Sequence, residues 1–119
     1  MSLKYMDKRR LYLANLLRRT SNKYGVAIWK AVRDRLLNPR RRRVTVNISK
    51  LNRYTSEGEI VVVPGKVVGS GNMSHKIIVG AYSYSLTAKK KLLEAGCEVL
   101  LIEELVSRYP DGKGVKIIV

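Results

Sequence analysis

Acidic residues are scarce in this chain: 9 Asp and Glu stand against 24 Lys and Arg, a formal net charge of +15 over 119 residues. There is no Phe, and Cys97 and His75 are the sole residues of their types. One cysteine excludes an internal disulfide and makes a reducing compartment the simpler assumption. One histidine excludes a His-pair metal site and leaves Cys97 with at most one base. No paired carboxylates stand at strand ends in an arrangement suited to acid/base work. No uninterrupted apolar run approaches the roughly 20 residues of a membrane span. Residues 1–19 interleave charges with leucines, unlike the apolar block of a signal peptide. A soluble, intracellular binder is expected, with no catalytic chemistry, metal, cofactor, small-molecule substrate or membrane partner.

What is present is a core-forming composition with a lopsided charge. Hydrophobic residues make up 45% of the chain, too many for a disordered polycation. Residues 1–54 carry 16 Lys and Arg against Asp7 and Asp34, a net of +14, whereas residues 55–119 carry 8 against 7 acids, a net of +1. Self-repulsion on that scale is most simply relieved by a polyanion. Nucleic acid is the first candidate, an anionic membrane surface the second.

The periodicity predicts an amphipathic helix over residues 7–19, with Met6, Leu13, Leu16 and Leu17 on one stripe. Turn formers at Ser21 to Gly25 predict a break, and a second helix is expected from about Val26 to Leu37. It would bury Ile28, Val32 and Leu36, with Trp29 beside them as a core anchor. Asn47 is suited to cap a short helix, Ile48 to Tyr54. Strands are then expected at Ile60–Val63 and Val67–Val68, separated by a Pro64-Gly65 turn, and from Lys76 to Tyr84. The run Ile77 to Tyr82 is apolar on both faces, as in a strand covered on both sides. Ser85 predicts a helix from Leu86 to Ala95 stopped by Gly96. A strand at Val99–Ile102, a helix beginning at Glu103-Glu104 and a strand at Val115–Val119 follow. The order β-β-β-α-β-α-β predicts an α/β layer with some parallel pairing. One domain is expected over 1–119: a basic helical region, 1–54, packed on an α/β core, 55–119.

Arg40, Arg41, Arg42 and Arg43 are the sharpest local signal, since four guanidiniums beside a proline cannot all face a core and each can fork onto phosphate oxygens. A solvated charge run or an import tag would have the same composition. Lys50 and Arg53 extend the patch along the short helix. Tyr82 and Tyr84, two apart on a strand, share a face and either stack on bases or pack beneath the N-terminal helices. Packing is favoured, because the aromatic signature of an RNA-recognition motif is absent. Gly65-Lys66 and Gly69-Ser70-Gly71 fail as a phosphate loop, because a strand rather than a helix is expected after them. Cys97, between a helix stop and an apolar strand, reads as a buried, inert thiol.

Several blocks together resemble one family. Asn38-Pro-Arg-Arg-Arg-Arg, Val46-Asn-Ile-Ser-Lys-Leu-Asn-Arg-Tyr and Val61-Val-Val-Pro-Gly-Lys-Val-Val-Gly-Ser-Gly are similar to the archaeal and eukaryotic large-subunit ribosomal protein family L-eighteen-e. Gly96 to Leu105 and the ending Asp111-Gly-Lys-Gly-Val-Lys-Ile also fit its pattern. The resemblance runs from about Leu11 onward. It implies a non-enzymatic structural protein bound to large-subunit (23S-type) ribosomal RNA and to neighbouring ribosomal proteins in the cytoplasm. It also implies the fold of bacterial ribosomal protein L-fifteen, an α/β core of irregular β-β-α superhelical turns, here preceded by two basic amphipathic helices. Arg40 to Arg43, Lys50, Arg53 and Lys66 fall in the matching blocks. Arg9, Arg10, Arg18 and Arg19 on the first helix, and Lys76 at the head of a strand, complete the candidate RNA contacts. The alternative is a free-standing nucleic-acid regulator or chromatin-type DNA binder, which would need a groove-reading helix or a dimerising zipper.

Overall fold

In the computed structural model, which describes residues 8–39 and 43–119, the first helix is longer than the turn formers suggest. Helix α1 spans Lys8–Tyr24, and its buried residues Arg10, Leu13, Ala14, Leu17, Thr20 and Ser21 form one helical stripe. Ser21 stays helical because its hydroxyl finds a partner across the turn, donating to the Val26 carbonyl, while the Thr20 hydroxyl donates to Leu16 O at 2.8 Å. The chain reverses at Gly25, the last residue of the expected break, whose φ of 65° suits a residue without Cβ. Helix α2 (Ile28–Leu36) buries Trp29, Val32 and Leu36. Trp29 is fully buried, and its indole N–H donates to Pro110 O at 2.9 Å, tying α2 to the far end of the chain.

Strand β1 (Val44–Asn47) was not anticipated, and it changes the meaning of Pro64-Gly65. The expected turn there is absent. Strand β2 runs unbroken over Ile60–Val68. One edge of β2 pairs with β3 (Ile78–Tyr84), with a register shift between Val63 and Lys66. The other edge is shared: Ile60–Val62 pair with β5 (Val115–Ile117), and Gly65–Val68 pair with β1. Pro64, having no N–H to donate, sits in the gap between those two partners. Gly65 lies so close to β1 that a Cβ would stand 2.0 Å from Val44 O. Any side chain there would push β1 off the sheet.

All four pairings are parallel, in the order β1-β2-β3-β4 with β4 at Glu98–Leu101 and β5 beside β2. Helices α3 (Ile48–Tyr54), α4 (Leu86–Glu94) and α5 (Ile102–Arg108) complete the fold. The later half is therefore β-β-α-β-α-β, a mixed α/β architecture preceded by two helices. Side chains alternate along the strands to supply two cores. Val61, Val63, Val67, Val79 and Ala81 meet Ile48, Leu51, Ala88 and Leu92 of α3 and α4. Val62, Ile60 and Ile78 meet Leu13, Leu17, Trp29, Val32 and Leu105 of α1, α2 and α5. Both faces of β2 and β3 are covered, as the apolar run Ile77 to Tyr82 predicted for β3. Each fully buried aliphatic side chain contributes about 1.5–3 kcal/mol of transfer free energy.

The caps agree with the residues that signalled them. Asn47 accepts from Lys50 N and Ser85 from Ala88 N. Glu104, in the first turn of α5, accepts from Leu101 N at 2.9 Å.

Candidate nucleic-acid interface

The structure sorts the candidate cations into inward and outward groups. Arg9 and Arg10 turn inward. Arg9 forks onto Glu103, Nε to Oε2 at 3.2 Å and Nη2 to Oε1 at 2.9 Å, and its Nη1 donates to Tyr82 O at 2.6 Å. Arg10 is 5% exposed, and its Nη1 donates to Leu36 O at 2.6 Å, in the last turn of α2 where a cation opposes the helix dipole. Both guanidiniums lie 4.2 Å from the centroid of the Tyr82 ring. Burial, the largest single effect, would raise the Glu103 carboxyl, but the Arg9 hydrogen bond, a backbone hydrogen bond and the Arg9 charge together hold the group below its ordinary range. Two arginines chosen for phosphate thus form an internal clamp joining α1, α2, β3 and α5.

Tyr82 and Tyr84 do not work as a pair. Tyr82 packs with the α1, α2 and α5 core and Tyr84 with the α3 and α4 core, so the expected shared face is lost. The β2–β3 register shift beside them interrupts regular alternation. The Tyr84 hydroxyl donates to Leu100 O at 2.6 Å, and burial raises it above its ordinary range. Neither ring is presented for stacking.

Lys50 and Arg53 point outward from α3. With Asn47, Ser49 and Tyr54 they line a groove of about 270 Å³, and the Arg53 guanidinium lies 6.0 Å from the Tyr54 ring centroid. Lys66 is exposed on β2, in register with exposed Thr45 of β1 and half-buried Ser83 of β3. This makes a polar row across three adjacent strands, on the sheet face opposite Val67 and therefore opposite α3. Arg43 is half-buried and stands two residues before Thr45, at the start of β1. Arg40, Arg41 and Arg42 lie outside the described residues. The α3 group and the Lys66 row occupy opposite faces and meet at the β1 edge.

Arg18 and Arg19 are exposed on α1, away from that edge. Lys76 stands before β3 at the amino end of the sheet, with its backbone N–H on Glu57 Oε2 at 3.2 Å and its stem over Gly96. Lys89 and Lys90, exposed on α4, escaped selection although the Lys89-Lys90-Lys91 triplet is visible in the sequence. Lys91 explains the glycine loop: its Nζ donates to Gly69 O at 2.7 Å and Gly71 O at 2.8 Å. That loop presents carbonyls to a lysine and leads toward β3, an arrangement unlike an anion cradle. The Cys97 thiol is buried, and desolvation pushes its pKa up. Among the described residues, no group of three His, Cys, Asp or Glu gathers as a metal site, and no helix is long and apolar enough to cross a membrane.

Comparison with known proteins bears on the whole chain. The family model described as "Ribosomal protein 60S L18 and 50S L18e" matches residues 4–119. A large ribosomal subunit protein eL18 of Pyrobaculum aerophilum is 48% identical over 107 residues, covering 90% of this chain and 88% of the relative. Its namesake in Methanothermobacter thermautotrophicus is 50% identical over 102 residues, covering 86% and 84%. That of Thermoplasma acidophilum is 42% identical over 105 residues, covering 88% and 84%.

Proposed function

The chain belongs to the ribosomal protein family of 60S L18 and 50S L18e, and on that premise we propose that it binds and stabilises large-subunit ribosomal RNA through its basic helices and loops. Its role in the ribosome is structural, and it is not an enzyme. One observation carries the RNA reading. None of the ion pairs among the described residues involves Lys50, Arg53 or Lys66, whereas Arg9 and Arg108 hold carboxylates. Outward cations without acids are what phosphate neutralisation uses.

The proposed contacts are Lys50 and Arg53 on α3, Lys66 on the polar row, and the run Arg40 to Arg43. Arg18, Arg19 and Lys76 are peripheral. Arg9 and Arg10 act through the fold. Residues 1–119 serve as one unit, seated among 23S-type RNA and neighbouring ribosomal proteins. Affinity for a large-subunit RNA fragment, measured against salt, tests this. With about 6–10 phosphate contacts, log affinity against log salt should slope at roughly −5 to −9. A slope near −1 places the charge elsewhere. Changing Arg40, Arg41, Arg42 and Arg43 to Gln should flatten the slope by about one per lost contact. A free-standing regulator would be absent from the large-subunit peak of a sucrose gradient.

A further inference from the structure

We infer that the outward face of α3 takes an unpaired nucleotide, its base on the Tyr54 ring and the adjoining phosphates on Lys50 and Arg53. The inference rests on the RNA reading and adds to it the class of RNA structure bound. Helix α3 turns Ile48 and Leu51 into the core and leaves Lys50, Arg53 and Tyr54 exposed. Spacings of three and four residues put those three side chains on one helix face. Tyr54 is 50% exposed, although tyrosine carries a large apolar body that burial rewards. Its surroundings differ from those of Tyr82, whose ring has two guanidiniums at 4.2 Å from its centroid. The Arg53 guanidinium stays 6.0 Å from the Tyr54 centroid, at the outer limit of a cation–π contact. The Tyr54 ring is left open.

Lys50 and Tyr54 form a wall shared by two grooves. One, of about 270 Å³, is completed by Asn47, Ser49 and Arg53. The other, of about 300 Å³, is completed by Lys116, Ile117, Ile118 and Val119. The Asn47 side-chain oxygen already accepts from the Ser49 hydroxyl at 2.7 Å and from Lys50 N at 2.9 Å, which leaves its amide N–H groups as donors for a ligand. Lys116 Nζ donates to Tyr54 O at 2.6 Å and so ties the residue that carries the ring to the segment of β5. No acidic side chain lines either groove, so charge selects an anion. The ring then selects among anions. An A-form duplex hides its base faces in the stack and offers a major groove too deep and narrow for side chains, whereas an unpaired base can splay out onto an aromatic ring. Such stacking tolerates any sequence, because every base has a π-face. A bare phosphate or a carboxylate would use the cations and leave Tyr54 in water.

The test titrates the full chain with three probes: a short single-stranded RNA carrying a fluorescent adenine analogue, a duplex with the same number of phosphates and the analogue paired, and a Glu-rich peptide. Binding of the single strand should change the analogue's fluorescence. Tyr54→Ala should abolish that change and weaken the single strand about tenfold, the effect of losing one base stack. Tyr54→Phe, which keeps the ring, should retain both. Duplex affinity, and the salt slopes for both RNAs, should be the same in all three proteins, because stacking releases no counterions. An unchanged melting temperature verifies that the variants fold. Equal single-strand affinity in folded Tyr54→Ala and the parent would overturn the inference and leave the RNA reading standing on its salt slope. An equal loss for single strand and duplex would overturn it too, making Tyr54 a contact to the backbone. Tighter binding of the peptide than of the single strand, lost in Tyr54→Ala, would overturn it in favour of an acidic protein. A salt slope of about −1 in all three proteins would break the RNA reading itself, and the inference with it.

Discussion

The first turn of α1 and the body of α3 each present two cations, and the fold uses them in opposite ways. Arg9 and Arg10 find acceptors inside the molecule: a carboxylate, two carbonyls and an aromatic ring. Lys50 and Arg53 find a groove lined by Asn47, Ser49 and Tyr54. The difference teaches that a count of basic residues overstates a nucleic-acid surface. An arginine with a planar fork, a long apolar stem and an acceptor within reach becomes a structural part. The same charge on an outward helix face stays available to a partner.

The sharpest break of this comparison is Arg10→Ala. Losing a buried guanidinium that bonds Leu36 O and stacks on Tyr82 should destabilise the protein by about 2–3 kcal/mol. Arg10→Met keeps the stem and should recover part of the loss. Urea unfolding gives the answer, and RNA affinity of the folded variant should hardly move. A fully stable Arg10→Ala protein with weakened RNA binding would reverse the assignment.

Next in size is the opposite pattern. Lys50→Gln, Arg53→Gln and Lys66→Gln combined should leave stability within about 0.5 kcal/mol per site. The salt slope for RNA should flatten by about three, one per phosphate contact. Melting curves and binding isotherms on the same preparation separate the two effects, and a folded triple variant with an unchanged slope removes α3 and Lys66 from the interface.

Acid sharpens the inner group further. Because the folded-state pKa of Glu103 is lowered, its contribution is present above the unfolded carboxylate value and is lost as pH falls through the folded one. Glu103→Gln should therefore be the less stable protein near about pH 7, and the two proteins should converge toward about pH 3. Denaturant midpoints across that range check the sign. Parallel curves would mean that Glu103 acts without its charge.

The smallest change is expected from Arg18→Gln with Arg19→Gln, exposed on α1. Stability should stay within about 0.5 kcal/mol per site, and the salt slope should fall by at most about two. A larger loss of affinity would extend the interface onto α1.

Much of this was legible from residue order, because it rests on local chemistry. Asn47 and Ser85 announce their helices through side-chain oxygens that satisfy backbone donors three residues on. The two-sided apolar run of β3 announces helices on both faces. The blocks around Asn38, Val46 and Val61 lead to the ribosomal family that the whole-chain comparison establishes. Arg10 could have been read as inward, since it stands three and seven residues before Leu13 and Leu17 on the buried stripe. Other features depend on contacts between distant segments. Pro64-Gly65 looks like a turn until β1 and β5 divide one edge of β2 between them. Ser21 looks like a helix breaker until its hydroxyl meets Val26. Arg9 looks like a phosphate ligand until α5 brings Glu103 to it across 94 positions of chain. Local sequence sets caps, periods and charge, while the partner available to a cation or an unsatisfied strand edge exists only once the chain has folded.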